Sequence, residues 1–158
     1  VTKNILLDEK LQLGKIKYDD KILHRSKLLK YFTENTNQKK VQKDFDKIFK
    51  KIKRNKKYFY SGKDLALVQS FAYDGFKIPG ELNLQELTKE YEIPSNLLKL
   101  AKNKESAFLT LKIIEIIGED EPHQLDPETI YFITYLLNET SLRKIRNEVL
   151  ISALPLRI

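Results

Sequence analysis

The sequence predicts an all-α fold built as a stack of antiparallel helices. Apolar residues recur at spacings of three and four along most of the chain, which is the period of an α-helix and not of a β-strand. Only five Gly and five Pro occur in 158 residues, too few for the many turns of a β-sandwich. A chain of this length, 41% hydrophobic, is expected to form roughly one domain with a core of its own.

Residues 1–60 are predicted to form a basic N-terminal arm followed by a helical hairpin. Residues 1–18 read as an arm packed by its leucines. Asp19 and Asp20 are typical N-cap residues, which predicts a helix over residues 20–34. A second helix is predicted over residues 38–56 because its apolar residues lie on one face; they are Val41, Phe45, Ile48, Phe49 and Ile52.

Residues 61–158 are predicted to form a helical stack that continues the same domain. Ser61 and Asp64 have the spacing of a capping box, and Gly75 is a normal end for the helix that they open. Asn83 is an N-cap candidate for a short helix, and Pro94 opens the next one.

The segment from Glu105 to Ile117 is apolar on most of its circumference, so we expect it to be central and covered on several sides. The pair Asp126-Pro127 is a strong helix start, and Pro155 ends a last antiparallel helix. That last helix is expected to bury four residues: Leu142, Ile145, Val149 and Ala153.

Two helix pairs in this region have a similar period. Pro94 and Pro127, which both open helices, lie 33 residues apart, and the turns that follow them are 35 residues apart. Such a period is typical of a short αα-repeat, solenoid-like array, although true arrays usually contain about three or more units. An irregular helical bundle is the alternative.

The charge is divided unevenly between the two parts of the chain. Residues 1–60 contain 18 Lys or Arg and 7 Asp or Glu, whereas residues 61–158 contain 11 and 15. The most basic stretch runs directly into three aromatic residues. A polyanion such as nucleic acid suits this pattern, because cations bind phosphates and rings stack on bases. The candidate residues are Lys50, Lys51, Lys53, Arg54, Lys56, Lys57, Tyr58 and Tyr60. In the competing interpretation, the basic side chains only solvate one face of the helix, and the aromatic residues belong to the core.

The sequence contains no motif for catalysis, and we predict no catalytic residue, metal site or cofactor. The absence of Cys excludes disulfides, Cys-based zinc sites and thiol catalysis. The two histidines, His24 and His123, lack the partners of a metal site, because two ligands are too few and the acidic loop around His123 lacks the spacing of a calcium loop. No apolar run is long enough to span a membrane.

Three segments after Ser61 resemble a group of uncharacterised helical-repeat proteins of alphaproteobacteria. They are LALVQSFAYDGFKIP, ESAFLTLKIIEIIGED and LDPETIYFITYLLNETSLRKIRNEVLISAL. The resemblance implies a helical-repeat region over residues 61–158 with no known activity, and it leaves export open. A bacterial protein without Cys suits the cytoplasm and the periplasm alike. It does not cover the basic first 60 residues. Because the chain starts at Val1 and contains no Met, a native and a processed N-terminus both remain open.

The predicted function is a non-enzymatic interaction or scaffold domain, because grooves between stacked helices suit a protein or peptide partner. Binding of nucleic acid or another polyanion through residues 50–60 is the alternative function.

Overall fold

The computed structural model describes residue 23 and residues 27–34, 36–56 and 58–154. These residues form only helices and connecting loops, which confirms the all-α class. Two 3₁₀ helices cover Lys27–Phe32 and Pro122–Gln124. The α-helices of the described ranges are α1 (Gln38–Arg54), α2 (Gly62–Tyr73), α3 (Leu84–Leu87), α4 (Ser95–Lys102), α5 (Ser106–Ile117), α6 (Pro127–Glu139) and α7 (Arg143–Ala153).

Three predicted helix starts are confirmed by side-chain caps. The Ser61 hydroxyl accepts a hydrogen bond from the Asp64 N–H at 3.2 Å, and the Asp64 carboxylate accepts one from the Ser61 N–H at 3.1 Å. Asn83 caps α3 and Asp126 caps α6 in the same way, each through its side-chain oxygen. These caps satisfy N–H groups that the first turn of a helix leaves without partners.

The N-terminal hairpin is described only in part. Of the helix predicted over residues 20–34, the structure describes a 3₁₀ helix at Lys27–Phe32, while the predicted caps Asp19 and Asp20 and the arm before them lie outside the described residues. Helix α1 ends at Arg54, two residues before its predicted end. Four residues of its predicted apolar face are buried, and Ile48 is half-buried.

The centre of the described fold is α2, which packs most extensively on α6. Buried positions on α2 occur around the whole helix and include Leu65, Leu67 and Val68. At Gly62 the backbone of α2 touches α6 so closely that a Cβ atom would lie 2.4 Å from the Pro127 carbonyl oxygen. Glycine is therefore required at this helix contact.

The prediction that the segment from Glu105 to Ile117 is covered on several sides is wrong. Helix α5 packs mainly on α4, and only Leu109 and Ile113 of α5 are buried. Phe108, Leu111 and Ile114 are 65%, 60% and 57% exposed. The helix has two apolar faces, and the described part of the chain covers one of them.

The final helix hairpin is confirmed, but α7 presents a different face than predicted. The α6–α7 turn is short and passes through Ser141, which has a positive φ of 58°. Val149 and Ala153 are buried as expected, whereas Leu142 is half-buried and Ile145 is 36% exposed. Arg146 is buried in their place, because its guanidinium group pairs with polar groups of α2 and α6. The αα-repeat stays a prediction.

Candidate binding cleft

An open cleft of about 1060 Å³ lies between α1 and the segment that follows α2. One wall is the C-terminal half of α1, the other is the loop of residues 77–83 with part of α3, and Tyr58 and Tyr60 also line it. We call this space the cleft. Ligand pockets commonly measure roughly 300–1,000 Å³, so the volume of the cleft is slightly above that range.

The two walls are held together by Gln42 of α1. Its side-chain carbonyl accepts a hydrogen bond from the Lys77 N–H at 2.9 Å, and its amide donates one to the Lys77 carbonyl at 3.1 Å. The same amide nitrogen lies 3.0 Å from the Asp46 carboxylate, to which it donates. These bonds fix the start of the loop against α1. An ion pair between Lys53 Nζ and Glu81 Oε1, 2.5 Å apart, joins the walls a second time.

Much of the lining of the cleft is apolar. Phe49 and Ile52 contribute from α1, and Ile78, Leu82 and Leu87 contribute from the opposite wall. Phe49 and Ile52 are buried, while the other three pack against the core and remain half-buried. The cleft therefore presents apolar surface, and packing against the core holds the side chains that form it in place.

The two tyrosines of the cleft contact each other edge to face, with ring centroids 4.9 Å apart. The Tyr58 hydroxyl donates to the buried carboxylate of Asp64 at 3.4 Å. Burial, and to a smaller extent the negative charge of Asp64, raise the pKa of Tyr60 to about 12. Tyr60 is therefore neutral at physiological pH and keeps its hydroxyl hydrogen as a donor.

The structure brings together half of the sequence-predicted site. Lys50, Lys53, Tyr58 and Tyr60 line the cleft.

Three of the other basic candidates, Lys51, Arg54 and Lys56, are exposed outside the cleft lining. Lys57 lies outside the described residues. The opposite wall, residues 77–87, was read from the sequence only as a loop and a short helix. Its pairing with α1 depends on the contact between Gln42 and Lys77, which are 35 residues apart, so no local pattern indicates it.

The charges around the cleft are balanced. Three lysines line it, and so do three carboxylates; these residues are Lys50, Lys53, Lys77, Asp46, Glu81 and Glu86. All three carboxylates are exposed, whereas general acid–base catalysis usually relies on carboxylates with restricted access to water. Over the described ranges, no three His, Asp or Glu side chains are grouped to hold a metal ion. The cleft therefore combines apolar surface with exposed side chains of both charges.

A second polar cluster lies in the core, where α2, α6 and α7 meet. Two guanidinium nitrogens of Arg146 donate to the two carboxylate oxygens of Asp74, each at 2.8 Å. One of them also donates to the Asn138 side-chain carbonyl at 3.0 Å, and the Asn138 amide donates to the Ser70 hydroxyl at 3.3 Å. The guanidinium group also lies over the ring of Phe32, 5.6 Å from its centroid. We call these groups the Arg146 cluster.

The charged groups of the Arg146 cluster pair with each other within the fold. Burial acts to raise the pKa of Asp74, but hydrogen bonds from Arg146 and Tyr31 and the charges of Arg146 and Arg143 outweigh burial and lower it below its ordinary value. Asp74 is thus ionised and fully engaged within the fold. The sequence reading missed this cluster, since neither Asp74 nor Arg146 lies in a motif. We assign it a structural role.

No protein-family model, curated protein or solved structure matches the chain. No helix in the described ranges has both the length and the apolar character needed to cross a membrane. The described residues form an all-α fold with a largely apolar, charge-balanced cleft between α1 and the loop of residues 77–83.

Proposed function

We propose that the chain is a non-enzymatic interaction domain that binds a segment of a protein partner in the cleft. The observation that carries this proposal is the combination of an apolar lining with balanced charges. Apolar side chains of a peptide gain about 25 cal/mol for each Å² removed from water, which gives such a surface its affinity. Lysines and carboxylates beside it pair with charges of either sign and fix the orientation of the segment.

The balance of charge favours a peptide over a polyanion in the cleft. A nucleic acid needs a continuous excess of positive charge, since its affinity comes largely from neutralised phosphates. Here Lys53 is already paired with Glu81, and Asp46 and Glu86 lie in the same lining. The rings of Tyr58 and Tyr60 pack on each other and on the core, which leaves them poorly placed as a platform for stacked bases.

Polyanion binding through residues 50–60 is the competing function. It would use the exposed outer side of α1 and the turn after it, where Lys51, Arg54 and Lys56 lie. Because these side chains are outside the cleft lining, the two functions use different surfaces and can be separated by substitution.

The experiment is a selection of random peptides displayed on phage against the immobilised full chain, followed by binding measurements on a synthetic peptide of the selected sequence. Gly80 lines the cleft, and a Cβ atom there meets nothing within 4 Å. Gly80→Trp therefore adds bulk at the cleft without disturbing the core, and Gly80→Ser is its matched control. We expect a peptide rich in apolar residues whose binding is lost with Trp and kept with Ser.

The charge-reversed variant Lys51→Glu/Arg54→Glu tests the competing function. We expect it to bind the selected peptide as the wild type does. A labelled single-stranded or double-stranded oligonucleotide is added at about 50 mM salt, where phosphate-based binding is strong. Oligonucleotide binding that falls steeply with salt and disappears in the variant, together with no enriched peptide, would overturn the proposal in favour of the polyanion.

A further inference from the structure

The end of α2 carries a dipeptide, Asp74-Gly75, that is chemically labile. It is the single Asp-Gly pair of the sequence, which contains no Asn-Gly pair. In an Asp-Gly pair the glycine amide nitrogen can attack the side-chain carboxyl carbon of aspartate, because glycine has no Cβ atom to obstruct the approach. The product is isoaspartate, an isomer in which the main chain runs through the aspartate side chain.

Each residue of the pair has a role in the fold. Gly75 follows α2 with a positive φ of 91°, a conformation that glycine adopts without strain. Asp74 supplies the carboxylate that accepts hydrogen bonds from Arg146 of α7 and from Tyr31 of the first 3₁₀ helix. The fold therefore depends on a labile dipeptide, and the native state persists only if that dipeptide does not react.

Isomerisation of this pair proceeds through a cyclic imide and leaves the mass unchanged. The Gly75 amide nitrogen attacks the carbon of the protonated Asp74 carboxyl group. An N–C bond forms, a C–O bond breaks, and one water leaves with the amide hydrogen. Water then adds to the imide carbonyl that came from the main chain and breaks its C–N bond, so that Asp74 stays linked to Gly75 through its side chain.

We propose that Asp74-Gly75 is a latent isomerisation site and that the Arg146 cluster holds it in an unreactive state. Ring closure requires the Gly75 nitrogen to eclipse the Asp74 Cβ atom about the Cα–C bond. The ψ of Asp74 is 3°, so the Gly75 nitrogen instead eclipses the Asp74 nitrogen, which lies about 120° from Cβ around that bond. The Gly75 N–H also donates to the Ala72 carbonyl at 3.1 Å. The end of α2 must therefore open before the two atoms can meet.

The carboxyl group of Asp74 is restrained as well. Arg146 donates to both of its oxygens at 2.8 Å, and the Tyr31 hydroxyl donates to one of them at 2.8 Å. Because the reaction expels one of these oxygens as water, the hydrogen bonds to that oxygen must break first. The same donors and the charges of Arg146 and Arg143 lower the pKa of Asp74, so the protonated form that reacts is rare. Arg146 therefore opposes both the protonation and the release of the carboxyl group.

Isomerisation at this position would disrupt the wall of the cleft that follows it. The isomer adds one atom, the Asp74 Cβ, to the main chain before Gly75. Phe76 is buried, and Lys77 is bonded through its main chain to Gln42 of α1, so the added atom shifts these contacts out of register. A chain that has stayed open long enough to react cannot rebuild this wall, whatever the cleft binds.

The first test measures isoaspartate in the full chain after several weeks near neutral pH at physiological temperature. Trypsin cleaves after Lys63 and Lys77, which releases residues 64–77 as one peptide. Its aspartate and isoaspartate forms have equal mass and separate by chromatography, and fragmentation assigns the isomer to Asp74. We expect the native chain to accumulate isoaspartate at least about tenfold more slowly than the same chain unfolded in urea, because only the open population reacts. Equal rates would overturn the proposal.

The second test isolates the contribution of Arg146. Arg146→Met is aged beside Arg143→Met and beside the wild type in enough urea to give it the same free energy of unfolding as Arg146→Met. We expect Arg146→Met to form isoaspartate at least about fivefold faster than either, because release of the carboxylate lets the last turn of α2 open locally.

Circular dichroism verifies that the aged variants keep their helices. Arg146→Lys, which keeps the charge but not the two-pronged hydrogen bonding, replaces the Met variant if that variant does not fold. A rate in the Arg146 variant equal to that of the stability-matched wild type would assign the protection to folding in general and overturn the role of the cluster.

Discussion

Replacing Arg146 with Met tests the role of the Arg146 cluster in stability. The side chains of Arg146 and Asp74 are only 2% and 6% exposed, so water cannot take over the lost contacts. The substitution leaves the Asp74 carboxylate without its bidentate partner and the Asn138 carbonyl without a donor. Removing one member of a buried ion pair costs about 3–5 kcal/mol, and we expect a loss of this size in the free energy of unfolding.

Arg143 is the matched control, since it contacts the same carboxylate from the surface. Its guanidinium nitrogen lies 3.4 Å from Asp74, but the Arg143 side chain is 58% exposed. Exposed ion pairs contribute roughly 0–1 kcal/mol, so Arg143→Met should lower the free energy of unfolding by less than about 1 kcal/mol. The two variants remove the same charge from the same helix and differ in burial.

The assay is urea denaturation followed by circular dichroism, with Asp74→Asn added to complete a double-mutant cycle. Because Arg146 and Asp74 are in direct contact, the double variant should lose about 1–3 kcal/mol less than the sum of the two single losses. The reasoning is refuted if Arg146→Met unfolds within about 1 kcal/mol of the wild type, or if the two arginine variants lose equal stability.

Three further predictions concern other features of the fold. Gly62→Ala should cost about 1–3 kcal/mol in urea denaturation because its Cβ meets the Pro127 carbonyl, whereas Gly80→Ala, with open space around it, should cost much less. Asp126→Ala removes the cap of α6 and should lower the thermal stability by about 1 kcal/mol, measured by calorimetry. Burial raises the pKa of Tyr60 from 10.0 to about 12, so its contribution to stability is complete below pH 10 and is lost as pH rises toward 12. Tyr60→Phe should therefore weaken the drop in the urea midpoint between about pH 10 and pH 12, and an unchanged drop would contradict this assignment.

The helix starts could be predicted from the sequence because each depends on residues three positions apart. Ser61, Asn83 and Asp126 all cap the helices that these residues predicted from the sequence. The apolar face of α1 was predicted for the same reason, since the period of the helix alone decides which residues share a side.

The sequence did not indicate which part of the protein packs against each helix face. Helix α5 is apolar on most of its circumference, yet this pattern does not tell which side meets α4 and which meets solvent. On α7, Ile145 was expected to be buried, but Arg146 is buried instead because its guanidinium group has partners at Asp74 and Asn138, 72 and 8 residues away. Half of the predicted site residues line the cleft. The second wall of the cleft is held in place by the contact between Gln42 and Lys77, which are 35 residues apart. Partners at such distances are set by tertiary packing, which no local pattern contains.

The Arg146 cluster also fixes how far α7 extends along the helices beneath it. A slip of α7 by one turn toward its own N-terminus would bring Val149 or Leu150 to the place of Arg146. Either side chain would set hydrocarbon against the ionised Asp74 carboxylate, which would then lose its bidentate partner. Apolar contacts alone would tolerate such a slip more readily, because at each contact one apolar side chain would replace another of similar volume. The ion pair between Arg146 and Asp74 therefore opposes a slip of α7 toward its N-terminus, which hydrophobic packing alone would oppose less.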